Sequence, residues 1–565
     1  MMRLVAASAL VASVLVWPAA AQQSTMFDTV DVTVVNVDVV VTDRQGNPVR
    51  GLTREDFIVL DQGKPVELTN FSAIESGRLL LDPDIPQDPL TAPGPAAEQE
   101  QAPRLDLMIL VDNTSIQPQN RKRLIEEVER ALDQILKPGD RAMVAANNGE
   151  VELMVGLTDD RQALRQALEA AGRRNSRAIG ATTEFARVIR DLEQAGDSGP
   201  VVFESECRAV LSDIRAYASA RYSDAVRSAG ALREWVNSLA ALPGRKAVLL
   251  LSDGFSNDPA DAVLEAWERK CSDVLLSAPS DAASFREFDT GRIFLDLGDH
   301  ANANRVTFYS IGGESRTVSA SSPDTRGLDI TGARVWNTSL QVREETNLRA
   351  SLSALSTQTG GLSGVGVSGL RDLFATMRRD FDDYYSMAYT LESSGAGSNR
   401  DIEVRFASSR PGLQLRFREG YRDKTQDERL QDQAISVALL GEGSNPLGLE
   451  MRTGPLTPAE KGLVDVPVVV RFPLSAVVLL PGEEALEGRL MMVVTARDER
   501  GQLSEPQRIA IPVRVPKDMA DQLAGQYAGY STVLRLRRGP HRIGVVVRDL
   551  LGAVDSATFF DHDPG

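Results

Sequence analysis

Three runs restrict what this chain of 565 residues can fold into. They are "LDLMILVD" (Leu105 to Asp112), "RKAVLLLSDG" (Arg245 to Gly254) and "RVTFYSIGGE" (Arg305 to Glu314). Each is apolar at consecutive rather than alternate positions, the signature of a strand buried on both faces. Between them the pattern turns helical. In "QNRKRLIEEVERALDQILKPGD", Leu124, Val128, Leu132 and Ile135 recur at helical spacing before a Pro-Gly stop. "DDRQALRQALEAAG" starts on an acidic pair, and "NLRASLSALSTQTGG" ends at a glycine pair suited to a C-cap. Alternating strands and helices predict an α/β fold with a doubly wound, mostly parallel sheet.

The flanks read differently. Val30, Val32 and Val34 alternate with polar residues, then Val35, Val37, Val39 and Val41 do so in the opposite phase. Such a flip points to a bulge or to a strand that changes sheets. With the turns "DRQGN" and "DQGK", residues 22–75 read as a small β module. Residues 76–103 are Pro-rich, acidic and non-periodic, hence a linker. The α/β domain then spans 104–421, with an insertion at about 255–304 and a C-terminal β extension from "DDYYSMAYTL" to Tyr421. A linker at 422–433 leads to residues 434–565, whose alternating strands and frequent turns predict a C-terminal β-sandwich.

Residues 1–21 have a basic start (Arg3), an apolar stretch and a small-residue site at Ala19-Ala20-Ala21, as a secretory signal peptide does. The expected location is periplasmic or extracellular. In that setting the only two cysteines, Cys207 and Cys271, read as a disulfide or as two buried thiols. A net charge of −17 excludes non-specific nucleic-acid binding, which needs a basic field. Three scattered histidines (His300, His541, His562) offer neither a zinc site nor an evident triad. No G-x-S-x-G elbow, P-loop or H-E-x-x-H occurs, so no enzyme class is signalled.

In order and spacing, "LMILVDNTS", "GRKAVLLLSDG" and "VTFYSIGG" resemble the core strands of von Willebrand factor type A domains. "VVVTDRQGNPVRGLTREDFIVLDQGKPVELTNF" ahead and "LSTQTGG", "DDYYSMAYTL" and "RPGLQLRFREGY" behind resemble bacterial proteins related to that family, first described as an acidobacterial group. The resemblance covers about Val30 to Tyr421. It implies a metal-ion-dependent adhesion site at the strand ends, built on Asp-x-Ser-x-Ser, a second-loop Thr and a third-loop Asp, and suited to Mg²⁺. Asp112 fits the first Asp, Thr114 the first Ser, Thr182 (or Thr183) the Thr, and Asp253 the third-loop Asp. Ile116 stands at the second Ser position and carries no oxygen, so the pattern is degenerate; Ser115 is one residue out of register. Read without the resemblance, Asp112 and Asp253 are strand-end acids able to cap neighbouring helices, with Asn113, Asn120 and Arg121 fixing the first loop. The expected function is protein binding at this edge without catalysis. The alternatives are an exported enzyme or accessory subunit working at Asp112 and Asp253, and a structural envelope protein with the α/β domain as spacer.

Overall fold

The computed structural model describes residues 32–81, 105–195, 200–271 (except 243), 284–313, 334–392, 397–460 and 463–562 (except 483, 500, 501, 520, 521, 523 and 524). The signal peptide expected at residues 1–21 and most of the expected linker at 76–103 lie outside them. Two compact units result, one from Val32 to Arg429 and one from Leu430 onward.

Among the described residues the first unit holds fifteen strands. They are β1 (Val32–Thr42), β2 (Phe57–Asp61), β3 (Lys64–Pro65), β4 (Leu68–Glu75), β5 (Arg78–Leu81), β6 (Asp106–Asp112), β7 (Arg141–Asn147), β8 (Val151–Thr158), β9 (Lys246–Leu251), β10 (Val306–Gly312), β11 (Ser363–Val365), β12 (Tyr384–Glu392), β13 (Asn399–Phe406), β14 (Gln414–Arg416) and β15 (Gly420–Arg422). The central sheet is six-stranded and mixed, in the order β11-β10-β9-β6-β7-β8. Its pairs are parallel except β7 with β8. Every residue of β6, β9 and β10 is buried. One face carries Leu107, Ile109 and Val111 against the helices Pro118–Ile135 (α1), Arg161–Gly172 (α2) and Gly366–Asp382. On the other face Ser310 of β10 meets Ser356 of the helix Arg334–Gln358, with Oγ atoms 2.7 Å apart.

The outer β layer departs from the expected domain order. β1 runs antiparallel to β12 from Val32↔Glu392 to Val39↔Tyr385, then pairs β14 from Val40↔Arg416. The flip in valine phase, between Val34 and Val35, falls within the unbroken pairing to β12: Val34 is exposed and Val35 buried, and the change of partner comes five residues later. β2 likewise pairs β13. The described part of the expected module, residues 32–75, does not close on its own: its strands would leave open edges, and strands within residues 384–422 fill them. One core, including Val37, Val39, Phe57, Met387 and Tyr389, is common to both segments. The expected linker is also shorter, because residues 78–81 pair with β4 as a hairpin.

The expected insertion at 255–304 includes the helices Asp261–Lys270 (α5) and Gly291–Ala303, the second leading directly into β10. A longer excursion lies between β8 and β9, where α2 is followed by Ala178–Gln194 (α3) and the 39-residue helix Pro200–Ser238 (α4). Cys207 of α4 and Cys271 at the end of α5 are disulfide-bonded, with a Cα–Cα distance of 6.0 Å. The bond lies in a satellite core with Trp267, Ile214 and Phe185.

In the second unit, antiparallel strands form two sheets that enclose one core, in which Val466, Val468 and Val470 meet Met492, Val494, Val545 and Val547. Strand Leu463–Pro473 alternates strictly between buried and half-buried positions, as a strand with one wet face should. The expected linker at 422–433 overlaps a helix, Gln426–Leu440. This helix lies so close to strand His541–Asp549 that a Cβ at Gly544 would sit 2.7 Å from the Ala434 carbonyl oxygen.

Candidate functional site

Asp112 is the last residue of β6, and no part of it reaches solvent. Its carboxylate is surrounded by donors of the chain itself. Oδ1 accepts from the Thr114 amide (3.1 Å), the Thr114 hydroxyl (2.5 Å) and the Asn147 side-chain amide (3.1 Å). Oδ2 accepts from Ser115 Oγ (2.6 Å) and Ser252 Oγ (2.8 Å). The Asn147 amide cannot turn round without loss, because its oxygen accepts from the Gly149 amide at 3.0 Å. Burial raises the Asp112 pKa above the ordinary carboxylate range, while the bonds from Ser115, Thr114 and Ser252 pull the other way.

Asp253 has a different set of partners. Oδ2 accepts from the Gln117 amide at 2.8 Å, just ahead of α1, and Oδ1 from the Gly313 amide at 2.8 Å, just past β10. Asn120 of α1 also donates to it at 3.2 Å. Asp253 thus ties the start of α1 to the ends of β9 and β10. Gly254 follows at φ +100°, where a Cβ would stand 2.1 Å from the Leu348 carbonyl oxygen, so the "SDG" turn admits no side chain.

Thr182 lies on α3, one turn in. Its hydroxyl donates to the Ala178 carbonyl (3.1 Å) and accepts from Gln117 Nε2 (2.8 Å). Thr183 bonds only the Ile179 carbonyl, on the exposed side. Ile116 is fully buried in the main core beside Leu124 and Leu107. Arg121 donates to Asn113 Oδ1 at 2.6 Å, which fixes the first loop.

This donor set bears directly on a cation. A carboxylate offers about four lone-pair positions, and donors already occupy those of Asp112. Asp253 and Thr182 are held by other partners. As arranged, these residues do not fit a hard divalent ion, which demands near-octahedral oxygen ligands. Among the described residues, no cluster of three His, Cys, Asp or Glu side chains is placed to hold a metal.

A cavity of about 510 Å³ opens beside the Asp112 loop. Thr114 and Ser115 follow β6 along one wall, and Gly254, Phe255 and Ser256 follow β9 along the next. Helix α3 supplies Thr182 and Phe185, and α4 supplies Tyr217, Arg221 and Ser228. Arg221 is bracketed by Glu184 (3.2 Å) and Asp224 (3.1 Å), and its buried Nε has no hydrogen-bond partner. Arg177, Glu344 and Glu345 add charge at the walls. Among the described residues, no histidine, cysteine or lysine lines it. His300 instead bonds Asn237 at 2.5 Å, and burial lowers its pKa to about 2.

Sequence reasoning missed Asn147, Ser228, Ser252 and Arg221. Ser252 stood next to a chosen residue, in a strand end already singled out. Ser228 and Arg221 are polar residues in register with the buried stripe of α4 that includes Ile214, Tyr217, Ala225 and Leu232, which is the signal that could have found them.

No protein-family model matches the chain, and no curated protein does. Among solved structures, an aerotolerance-related membrane protein from Bacteroides fragilis aligns with 49% of this chain and 98% of its own at 9% identity, with a TM-score of 0.24. The conserved hypothetical protein BatB from Bacteroides thetaiotaomicron aligns with 49% of this chain and 98% of its own at 11% identity and a TM-score of 0.22. Proximal thread matrix protein 1 from the mussel byssus aligns with 49% of this chain and 48% of its own, at 12% identity and a TM-score of 0.22. Values this low do not define a shared fold. No described helix is long and apolar enough to cross a membrane.

Proposed function

We propose that this is an exported, non-catalytic interaction protein that grips a partner protein at the C-terminal edge of the six-stranded sheet, and that its α/β part is a doubly wound domain of the von Willebrand type A kind. The observation that carries this reading is the position of the cavity. From β6 the chain goes outward to β7 on one side, whereas β9 and β10 lie on the other. The order reverses between β6 and β9, and the loops after those two strands form two of the cavity's walls. Open α/β sheets bind their ligands at such a reversal, beyond the carboxyl ends of the strands.

A catalytic reading has carboxylates to draw on in Glu184, Glu344 and Glu345, but among the described residues the cavity lining carries no histidine, cysteine or lysine to pair with them. A cation-dependent edge would need Asp253 and Thr182 to leave Gln117 and Asp112 to shed donors. Melting in MgCl₂ checks this. An unchanged midpoint fits metal-free binding. A rise that Asp253→Ala abolishes would establish rearrangement around the ion.

The binding site is tested with a photo-crosslinking residue in place of Ala181, in the cavity wall, or of the exposed Val533 in the second unit. Adducts with one partner at 181 and none at 533 support the reading. Adducts at 533 alone would move binding to the β unit and leave the α/β domain as spacer.

A further inference from the structure

At the opposite end of the central strands arginines outnumber acids, two of them buried and one, Arg305, half-buried. Asp38 of β1 is covered, and its Oδ2 faces Arg305 Nη2 at 3.3 Å and Arg245 Nε at 3.8 Å. Asp38 Oδ1 accepts from Ser386 Oγ at 2.8 Å. Arg418, also buried, donates to the carbonyls of Asn302 (2.6 Å) and Asn36. A small pocket of about 10 Å³ is lined by these charged groups together with Arg416, Thr307, Thr359 and Gly360. Arg416 is neutralised by its pair of bonds to Asp380. Three arginines and one aspartate remain at the pocket wall, 3 − 1, a net charge of +2.

Two further observations point to a missing negative charge. Arg305 Nε is buried without a hydrogen-bond partner. The cations also repel one another: burial and the nearby Arg305, Arg418 and Lys424 lower the Lys246 pKa to about 7. Burial likewise brings Arg418 down to about 10, with Arg305 and Arg245 adding to the fall against the pull of Asp38. Buried charge such as that of Arg245 and Arg418 is costly where it is not matched, and a counter-ion reached past the half-buried Arg305 is the direct remedy.

We infer that the pocket ringed by Arg245, Arg305 and Arg418 is a binding site for one small monovalent anion of chloride size, which with Asp38 fastens the outer β layer to the N-terminal ends of β9 and β10. The space is about that of a single water, so chloride, somewhat larger, enters with a small outward shift of the half-buried Arg305, while phosphate and sulfate are excluded.

The test compares thermal unfolding of the full chain in sodium chloride and in sodium gluconate at equal ionic strength. The midpoint should climb with chloride concentration and stay flat in gluconate, because a ligand bound only by the folded state stabilises it in proportion to the logarithm of its concentration. Asp38→Asn removes the competing negative charge and should steepen the chloride dependence; Arg305→Gln should flatten it. A crystal grown in sodium bromide should give an anomalous peak among the three guanidinium groups. Identical midpoints in the two salts with no bromide peak at this place, or a water there instead, would overturn the inference. So would a chloride effect that Arg305→Gln and Asp38→Asn leave unaltered.

Discussion

Two buried aspartates stand at opposite ends of the central strands, and the chain treats them in opposite ways. Asp112, at the C-terminal end, meets only neutral donors: hydroxyls, an amide side chain and one backbone amide. Asp38, at the N-terminal end, meets arginines. Burial acts on both, yet Asp112 is shifted upward and Asp38 downward to about 2, since Arg305, Arg245 and Arg418 outweigh its desolvation. The Asp38 end is packed tight between two layers, and the Asp112 end opens on the large cavity. Charge pairing locks one end of the sheet; at the other, a set of neutral hydrogen bonds holds a loop in shape while leaving room for a partner.

This contrast can be broken by experiment. The largest effect is expected from Asp38→Ala, which strands buried arginines; urea unfolding should show a loss of about 3–5 kcal/mol. Next, Cys207→Ser with Cys271→Ser opens a link spanning 64 residues and should cost about 2–4 kcal/mol. Asp112→Asn keeps the shape but turns one of the two accepting oxygens into a donor, for an expected loss of about 1–3 kcal/mol at neutral pH. Both aspartate substitutions should cost the same if the two ends are in fact alike.

The pH dependence sharpens the comparison further. Asp38 has a lowered folded pKa, so its stabilisation is present above the unfolded value and is lost as pH falls toward about 2. Asp112 is raised, so its contribution is fullest below the unfolded value and diminishes as pH rises through the folded one. Asp38→Asn should therefore remove part of the acid-side loss, and Asp112→Asn should remove an opposing slope. Lys246, lowered to about 7, makes the fold gain stability as pH rises from there toward the unfolded value near 10.5. Lys246→Met should flatten that alkaline gain. The smallest effect belongs to Thr182→Ala, which loses one hydrogen bond to Gln117 and should cost about 1 kcal/mol in unfolding.

The sequence made one end of the sheet legible and hid the other. β6, β9 and β10 announce themselves because burial on both faces requires unbroken apolar runs, and each strand end is marked by Asp112, Asp253 or Gly312. The Asp38 cluster draws on residues 38, 245, 305 and 418, so no local pattern contains it. Thr182 was readable as a candidate, but its hydroxyl is taken by its own helix and by Gln117. The cavity depends on where α3 and α4 lean: the stripe Val210, Ile214, Tyr217, Leu232 and Val236 tells which face of α4 is buried but not which element it packs against. The shared outer layer was hidden for a plainer reason. Alternation identifies a strand's buried face but never its partner.

That partnership sets an order of events. β1 is paired on both sides, by strands that begin at Tyr384 and Gln414. A chain emerging from its N-terminal end, whether from a ribosome or through a membrane pore, carries this valine-rich segment for more than 300 residues before its neighbours exist. Such a strand is sticky while it waits. The α/β core can form in the interval from residues lying wholly between, so the outer layer is the last part of the first unit to close.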